Sequence, residues 1–317
     1  MSPGSRNRDH STGSFRLTVK KSSLFLRAAI IQVIRRFFIK RGYLEIETPN
    51  LIQSPAPEVH IDAIITTDGF MHTSPELCMK RLLSAGYSMI FQICKCYRKG
   101  ERGKHHLSEF TLLEWYRSRA DYSVLMEECE EMIGFVAQEL KLGERIEYMG
   151  KKIDLKGPWK RITVKEAFKK YSSISMEEAL ESDLFDKMMV EEIEPRLDVS
   201  KPTFLYDYPS SRASLARLKE DEPALAERFE LYMGGLELAN AFSELNDIEE
   251  QEKRFKEEME KRKRMGKSEY PFPERFIKEL HNMPESAGIA FGVDRLVMIL
   301  ANKDRIEDVV SFTPEET

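Results

Sequence analysis

Several features are missing from this chain, and each absence narrows its function. No run of 18 apolar residues occurs among the 317, which argues against a membrane-spanning helix. The first 23 residues have no apolar core of the secretory type, so the chain reads as cytoplasmic. Only four cysteines occur, Cys78, Cys94, Cys96 and Cys129, with no C-x-x-C pair, and they are expected to be reduced core thiols. No Walker A or G-x-G-x-x-G pattern is present, since the Gly-Lys-Ser at Gly266 has no upstream glycine, and a nucleotide would not be held in a P-loop or Rossmann manner. Positive charge is not in excess: 49 Lys/Arg face 54 Asp/Glu, a net charge of -5, which disfavours an extended nucleic-acid surface. Acid is missing from His10 to Leu44. That bias is like a transit peptide, but "LFLRAAIIQVIRRFFIKRG" has apolar residues at helical spacing and a glycine stop, and is better read as an amphipathic helix.

With 41% hydrophobic and 32% charged residues the chain can bury a substantial core. Residues 1–23 read as a flexible N-terminal tail and 24–317 as one domain, with a mostly helical insertion around 121–200. "YLEIETP" alternates as a strand closed by Pro49, and "TSPELCMKRLLSAG" opens a helix at Ser74 and Pro75. "SMIFQICKCYR" and "SEFTLLEWYRS" read as two strands joined by a charged loop. "RFELYMGGLELANAFSEL" reads as a hairpin on Gly234 and Gly235. Residues Asp247 to Lys267 read as a charged helix with i,i+4 pairs, Glu258 to Arg262 among them, on a solvated face. These strands connect mainly as antiparallel neighbours, so the fold class is α+β, a mainly antiparallel sheet flanked by helices.

Strand alternation gives the first chemistry. Phe110, Leu112, Glu114 and Tyr116 share one face, as do Gln92, Cys94, Cys96 and Arg98 on the preceding strand. One surface then carries a guanidinium for a phosphate, an aromatic plane for a base and a carboxylate for an amine; an ordinary amphipathic sheet face is the other reading. Gly288 and Gly292 allow close approach of a ligand, and Arg295 falls in the first turn of the next helix, where anions are favoured. In the hairpin, Glu230 and Glu237 become diagonal neighbours, which suits Mg²⁺ beside phosphates, although two surface glutamates would look the same. Asn240, Phe242 and Glu244 have the opposite parity, so sharing one pocket with Glu230 and Glu237 requires a bulge after Glu237.

Together these segments resemble the three signature motifs of class II aminoacyl-tRNA synthetases: "RGYLEIETP" for motif 1, "YRKGERGKHHLSEFTLLEW" for motif 2 and "GIAFGVDRL" for motif 3, in order. "TSPELCMKRLL" and "ERFELYMGGLELANAFSELND" are similar to lysyl-tRNA synthetases in particular. Those enzymes carry an anticodon-binding OB-fold before motif 1, where only a short tail stands here. The truncated pattern resembles the elongation factor P lysine ligases, paralogues of lysyl-tRNA synthetase.

The resemblance implies a class II synthetase catalytic fold, a homodimer built through motif 1, and ATP and Mg²⁺ as co-substrate and metal. The enzyme would activate lysine or (R)-β-lysine as an aminoacyl-adenylate and pass it to a lysine side chain of elongation factor P. In this reading the positive charge of the Arg98 to His106 loop serves the triphosphate. Arg98 holds the α-phosphate, Phe110 stacks on adenine, Arg295 covers the other adenine face and reaches the γ-phosphate, and His106 and Gly292 complete the nucleotide site. Glu230 and Glu237 bind Mg²⁺. Glu76 receives the backbone-side amine, while Glu114, Tyr116, Asn240 and Glu244 form the lysine end. Two positions depart from the pattern. The R-x-E of motif 2 is Arg98-Lys99-Gly100, leaving Glu101, one residue late, to replace the glutamate. Ala290 stands where motif 3 usually has Gly, and its methyl narrows the amino-acid pocket. The alternatives are a tRNA-charging enzyme, disfavoured by the acidic balance, an ammonia-dependent ligase of asparagine-synthetase type, disfavoured by "ELANAFSELND", and a non-catalytic sensor.

Overall fold

A computed structural model describes residues 10–213 and 215–317, with side chains from residue 17 onward. In chain order it holds α1 (His10–Lys40), β1 (Leu44–Glu45), β2 (Leu51–Ile52), β3 (Ile64–Thr66), β4 (Gly69–Met71), α2 (Glu76–Ser84), β5 (Met89–Tyr97), β6 (Glu109–Ser118) and α3 (Tyr122–Glu139). Then come β7 (Arg145–Tyr148), β8 (Lys151–Asp154), β9 (Lys160–Thr163), α4 (Val164–Tyr171), α5 (Met176–Glu181), α6 (Phe185–Met188) and β10 (Thr203–Pro209). The last are β11 (Leu225–Met233), β12 (Leu236–Ser243), α7 (Ile248–Arg264), α8 (Glu274–Leu280), β13 (Ser286–Gly292) and α9 (Val293–Leu300). Eight strands form one sheet in the order β1-β5-β6-β13-β12-β11-β10-β9. Its six central strands are antiparallel, and only the edge pairs β1/β5 and β9/β10 run parallel, as the α+β reading expects. Among the described residues no helix is long and apolar enough to cross a membrane.

The main core lies under one sheet face. Ile30, Val33, Ile34, Phe37 and Phe38 recur at helical spacing along α1 and are all buried. Phe38 stacks on Phe91 of β5 with ring centroids 4.9 Å apart. α1 stops before Gly42, whose φ of +82° closes the helix. Asp121 caps α3 by accepting from the backbone N–H of Ser123. α3 then presents Glu128 to the core, where it accepts from Tyr43 Oη (2.7 Å), Trp115 Nε1 (2.8 Å) and Arg117 Nη1 (2.8 Å). This buried carboxylate joins the segment after α1 to β6, and both of its oxygens accept hydrogen bonds.

Three expectations need correcting. The flexible tail was drawn to residue 23, but α1 begins at His10, while residues 1–9 lie outside the described residues. The reason is long-range: Lys20 is buried against Glu316, with Nζ 3.0 Å from Oε2, and Arg27 pairs with Asp294 at 2.5 Å. The stretch around 121–200 is not one helical insertion. α3 packs into the main core, β9 joins the sheet edge, and α4 to α6 build a second core around Phe168, Phe185 and Ile193 against Leu205 and Tyr208. α7 is also not a freely solvated helix. Arg262 is buried, donates to Asp62 and lies over the Tyr270 ring, while Glu258 accepts from Val59 N and pairs with Lys261.

Asp294, in the first turn of α9, takes Arg27 Nη1 on one oxygen and Thr111 N (2.7 Å) on the other, so it ties α1, β6 and α9 together. Removing one member of such a pair strands the other charge in the interior. Asp294→Ala is expected to lower the unfolding free energy by about 3 kcal/mol, read from urea denaturation followed by circular dichroism.

Candidate active site

The sheet's other face carries the site, and cross-strand register builds it. One row runs over five strands: Gln92 opposite Glu114, Glu114 opposite Ala290, Ala290 opposite Asn240, and Asn240 opposite Glu230. The next row pairs Tyr116 with Gly288 and Gly288 with Phe242. Side chains on one row point to the same face; alternation along β6 put Glu114 with Tyr116, and the cross-strand register is what brings Asn240 beside them. The required bulge is present. Leu231 opposes Ala239 while Tyr232 opposes Glu237, which leaves Leu238 as the extra residue. The Gly234-Gly235 turn has φ of +61° and +86°, the paired positive values of a tight hairpin.

A cavity opens over this face, lined by Glu76, Arg98, Glu101, His106, Phe110, Glu114, Tyr116, Glu237, Asn240, Ala290, Gly292 and Arg295. Glu244 reaches the same place behind Gly288: a Cβ there would sit 2.3 Å from Glu244 Oε1 and 2.2 Å from Tyr116 Cε1. Only glycine fits at 288. Of the expected site residues, Glu244 is buried behind the cavity wall and Glu230 is set back from it. Glu230 is held by Arg228 Nη2 and Tyr232 Oη, each 2.7 Å away.

The two ends of the cavity differ in charge. At one end Arg98 lies over Phe110, with Cζ 5.0 Å from the ring centroid, and its buried Nε has no hydrogen-bond partner. Glu101, offset by one position, still reaches the site and lies 3.6 Å from Arg98. Arg295 donates to the Glu237 carbonyl (2.6 Å) and contacts His106 Nε2 at 2.7 Å. Burial and the Arg295 charge hold His106 below the usual imidazole range, so it meets the guanidinium as a neutral acceptor.

The other end is acidic. Glu114 accepts from Ser74 Oγ (2.6 Å) and Tyr116 Oη (2.9 Å). Lys80 Nζ lies 2.5 Å from both Glu76 Oε1 and Glu244 Oε2, while Glu244 Oε1 is buried without a hydrogen-bond partner. Glu76 and Glu244 thus share one cation, while Glu114 beside them is held by hydroxyls alone. Burial, then the Glu76 charge, pushes Glu114 well above the carboxylate range. Burial also raises Glu244, to about 8, with Lys80 opposing and Glu76 adding. Burial works against the Lys80 charge, but Glu244 and Glu76 outweigh it and keep it an ammonium.

This is the geometry of an adenylate-forming synthetase, and sequence comparison agrees. A family model described as tRNA synthetases class II (D, K and N) matches residues 8–316. The chain belongs to that family. Within it, the chain is 37% identical over 322 aligned positions to the elongation factor P--(R)-beta-lysine ligase of Pectobacterium carotovorum subsp. carotovorum (strain PC1), covering 96% of this chain and 98% of that one. The proteins of the same name from Yersinia enterocolitica serotype O:8 / biotype 1B and Proteus mirabilis (strain HI4320) are 37% and 38% identical, over 95% and 92% of this chain and 98% and 94% of theirs. The chain groups with these ligases.

Sequence reasoning missed four charged residues. Lys80 had a signal, since it stands i+4 from Glu76 on the helix face that also carries Met79 and Leu83 to the interior. Arg228 had a weaker one, two residues before Glu230 on the same strand face. Glu58 lines the cavity with its carboxyl raised to about 7 by burial and by Glu76. Glu194, from the segment after α6, feels both Glu230 and Glu237 after burial has raised it. Neither had a sequence signal. The charged loop was over-read: Arg102 is bound by Glu315 (2.9 Å) and Lys104 by Asp304 (3.1 Å). Those two basic groups neutralise local acids, and Arg98 is the loop cation that faces the cavity.

A ligand with two ammonium groups would let Glu114 and Glu244 ionise on binding. Lysine binding is therefore expected to release protons near neutral pH, and its affinity to rise with pH through about 8, where Glu244 becomes ionised in the free enzyme. Calorimetry in buffers of different ionisation enthalpy reads the released protons directly.

Proposed function

We propose that this enzyme activates lysine or (R)-β-lysine with ATP and transfers the aminoacyl group to a lysine side chain of elongation factor P. The observation that carries the reading is the charge layout of one site: the buried Glu114 and Glu244 and the half-buried Glu76 at one end, with Lys80 pairing the latter two, and Arg98 with Arg295 at the other. A diamino acid fills the acidic end with its two ammonium groups and is left with its carboxylate toward the arginines. The names of the relatives supply the acceptor.

In the first step a carboxylate oxygen of the amino acid attacks the α-phosphorus of ATP and pyrophosphate leaves. Arg98 and Arg295 neutralise the charge that builds on the phosphates, Phe110 supports the adenine, and Glu76, Glu114 and Glu244 fix the reacting carboxylate by holding the ammonium groups. In the second step the acceptor amine attacks the acyl carbonyl, AMP leaves with the bond pair, and the amine nitrogen loses a proton. No side-chain nucleophile is required.

The residues present fit Mg²⁺. Glu230 is raised by burial, opposed by Arg228, and further raised by Glu237, so a divalent cation would relieve two carboxylates that disfavour each other's charge. Glu230 and Glu237 would hold it, and it would supply neutralisation of the triphosphate. A homodimer through motif 1 is supported by exposed apolar residues around that segment: Ile39 (57%), Leu44 (50%) and Leu51 (42%). With Arg102 and Lys104 engaged by acids of the same chain, Lys99 is the loop cation left for an acidic partner.

Arg98→Ala is expected to lower lysine-dependent pyrophosphate exchange by about 10² or more, as loss of a transition-state donor does; exchange at the wild-type rate with only transfer impaired would remove Arg98 from the first step. The acceptor is tested by incubating enzyme, ATP, Mg²⁺ and labelled α- or β-lysine with elongation factor P or with tRNA. A mass gain of one lysyl group on elongation factor P is expected. Specific charging of tRNA with an unmodified protein would establish the synthetase alternative, and amide formation from free ammonia the asparagine-synthetase type.

A further inference from the structure

Beside the acidic end lie three side chains with no part in it. His72 stands two residues before Ser74, and Cys94 and Cys96 project from β5 on the face that bears Glu114. A ring nitrogen of His72 and both sulfurs lie within 4.8 Å of one another. The sulfurs are 3.9 Å apart, far beyond a disulfide bond, so both are thiols. His72 and Cys96 are buried, and Cys94 is half-buried.

The imidazole is the decisive group. His72 Nε2 is 2.6 Å from the Lys95 carbonyl, and a carbonyl can only accept, so Nε2 carries the hydrogen and Nδ1 the lone pair. Nδ1 is buried and has no hydrogen-bond partner. Buried thiols usually behave as small apolar groups, but that role leaves an unsatisfied lone pair, which costs free energy. A metal ion explains both halves of the ring, because metal-binding histidines donate their other N–H to a carbonyl or carboxylate.

We propose that His72, Cys94 and Cys96 bind one thiolate-preferring d¹⁰ cation such as Zn²⁺, with a fourth position left for water. The site is separate from the magnesium position, since Mg²⁺ takes oxygen ligands. On loading, each thiol gives its proton to solvent and each sulfur donates a pair to the metal, with no redox change. The ion joins the segment that enters Ser74 and Glu76 to the strand opposite Glu114, and so fastens two walls of the lysine pocket.

The test uses the reduced full-length enzyme and Zn²⁺ alone, titrated against a chromogenic chelator. One equivalent is expected to bind, with affinity reduced at least about 10-fold in Cys94→Ser and in Cys96→Ser and unchanged in Cys78→Ser, which lies outside the cluster. Co²⁺ is expected to give a thiolate charge-transfer band that Cys96→Ser weakens and the double variant Cys94→Ser, Cys96→Ser abolishes. Alkylation of the wild type followed by mass spectrometry needs no variant: Zn²⁺ is expected to protect Cys94 and not Cys78. Binding of less than one equivalent, an unchanged affinity in both cysteine variants, or equal alkylation of Cys94 with and without Zn²⁺ would overturn the site.

Discussion

The pairing of β13 between β6 and β12 is the constraint on which the site depends. It places Ala290 between Glu114 and Asn240, and Gly288 between Tyr116 and Phe242. A slip by one residue would turn every one of these side chains to the opposite face. Register is protected on both sides. The core face buries Ile289 and Phe291 of β13, and the site face tolerates no side chain at 288, where Tyr116 and Glu244 already occupy the space. The bulge at Leu238 then brings Glu237 into the cavity that Asn240 also faces. One irregular residue thus merges two parities of a strand into one site.

On this frame, specificity follows from unbalanced charge. A buried acid is tolerated when it is paired, protonated or metal-bound. Glu128, on the core side, has three donors and is structural. Glu114, Glu244 and Glu76 have hydroxyls and one lysine, and burial keeps the first two reluctant to ionise. The contrast separates a carboxylate that finishes the fold from carboxylates that await a ligand. An uncharged analogue of equal length would leave these acids unpaired, and the cost of that state rejects it.

How far the sequence disclosed this can be judged residue by residue. Two-residue periodicity was enough to align Glu114 with Tyr116 and Arg98 with Cys96, because each relation lies within a single strand. The Gly-Gly turn was enough to set Tyr232 against Glu237, and parity alone required the bulge. Relations between distant segments were not legible. The whole Arg98 to His106 loop reads as charge for a triphosphate until Glu315, 213 residues from Arg102, is seen to hold that guanidinium, and residues 10–23 read as tail until Glu316 and Asp294 are found to anchor α1. Glu258 and Arg262 have good helical spacing, but Asp62 and Val59 compete for them and win through burial. Propensity and spacing describe what a residue can do locally, and tertiary partners decide which option is taken.

The opposed ends of the cavity also constrain the order of chemistry. On the proposed reading the amino acid's ammonium groups would be held where the walls are acidic, and its carboxylate would face the arginines. ATP would present its α-phosphate to the same arginines, which would bring nucleophile and electrophile together without an activating base, since a carboxylate is already ionised at neutral pH. Once pyrophosphate has left, the arginines face a smaller anion. The acyl carbonyl lies between the acidic floor and the phosphate, and the remaining approach is from the cavity mouth. The acceptor amine must arrive there neutral, and deprotonating it is the one step for which the two charged ends provide no evident group. Glu58 lines the same cavity with its carboxyl raised to about 7 by burial and by the Glu76 charge, and a base for that step would need both such a proton affinity and hydrogen-bond reach of the amine.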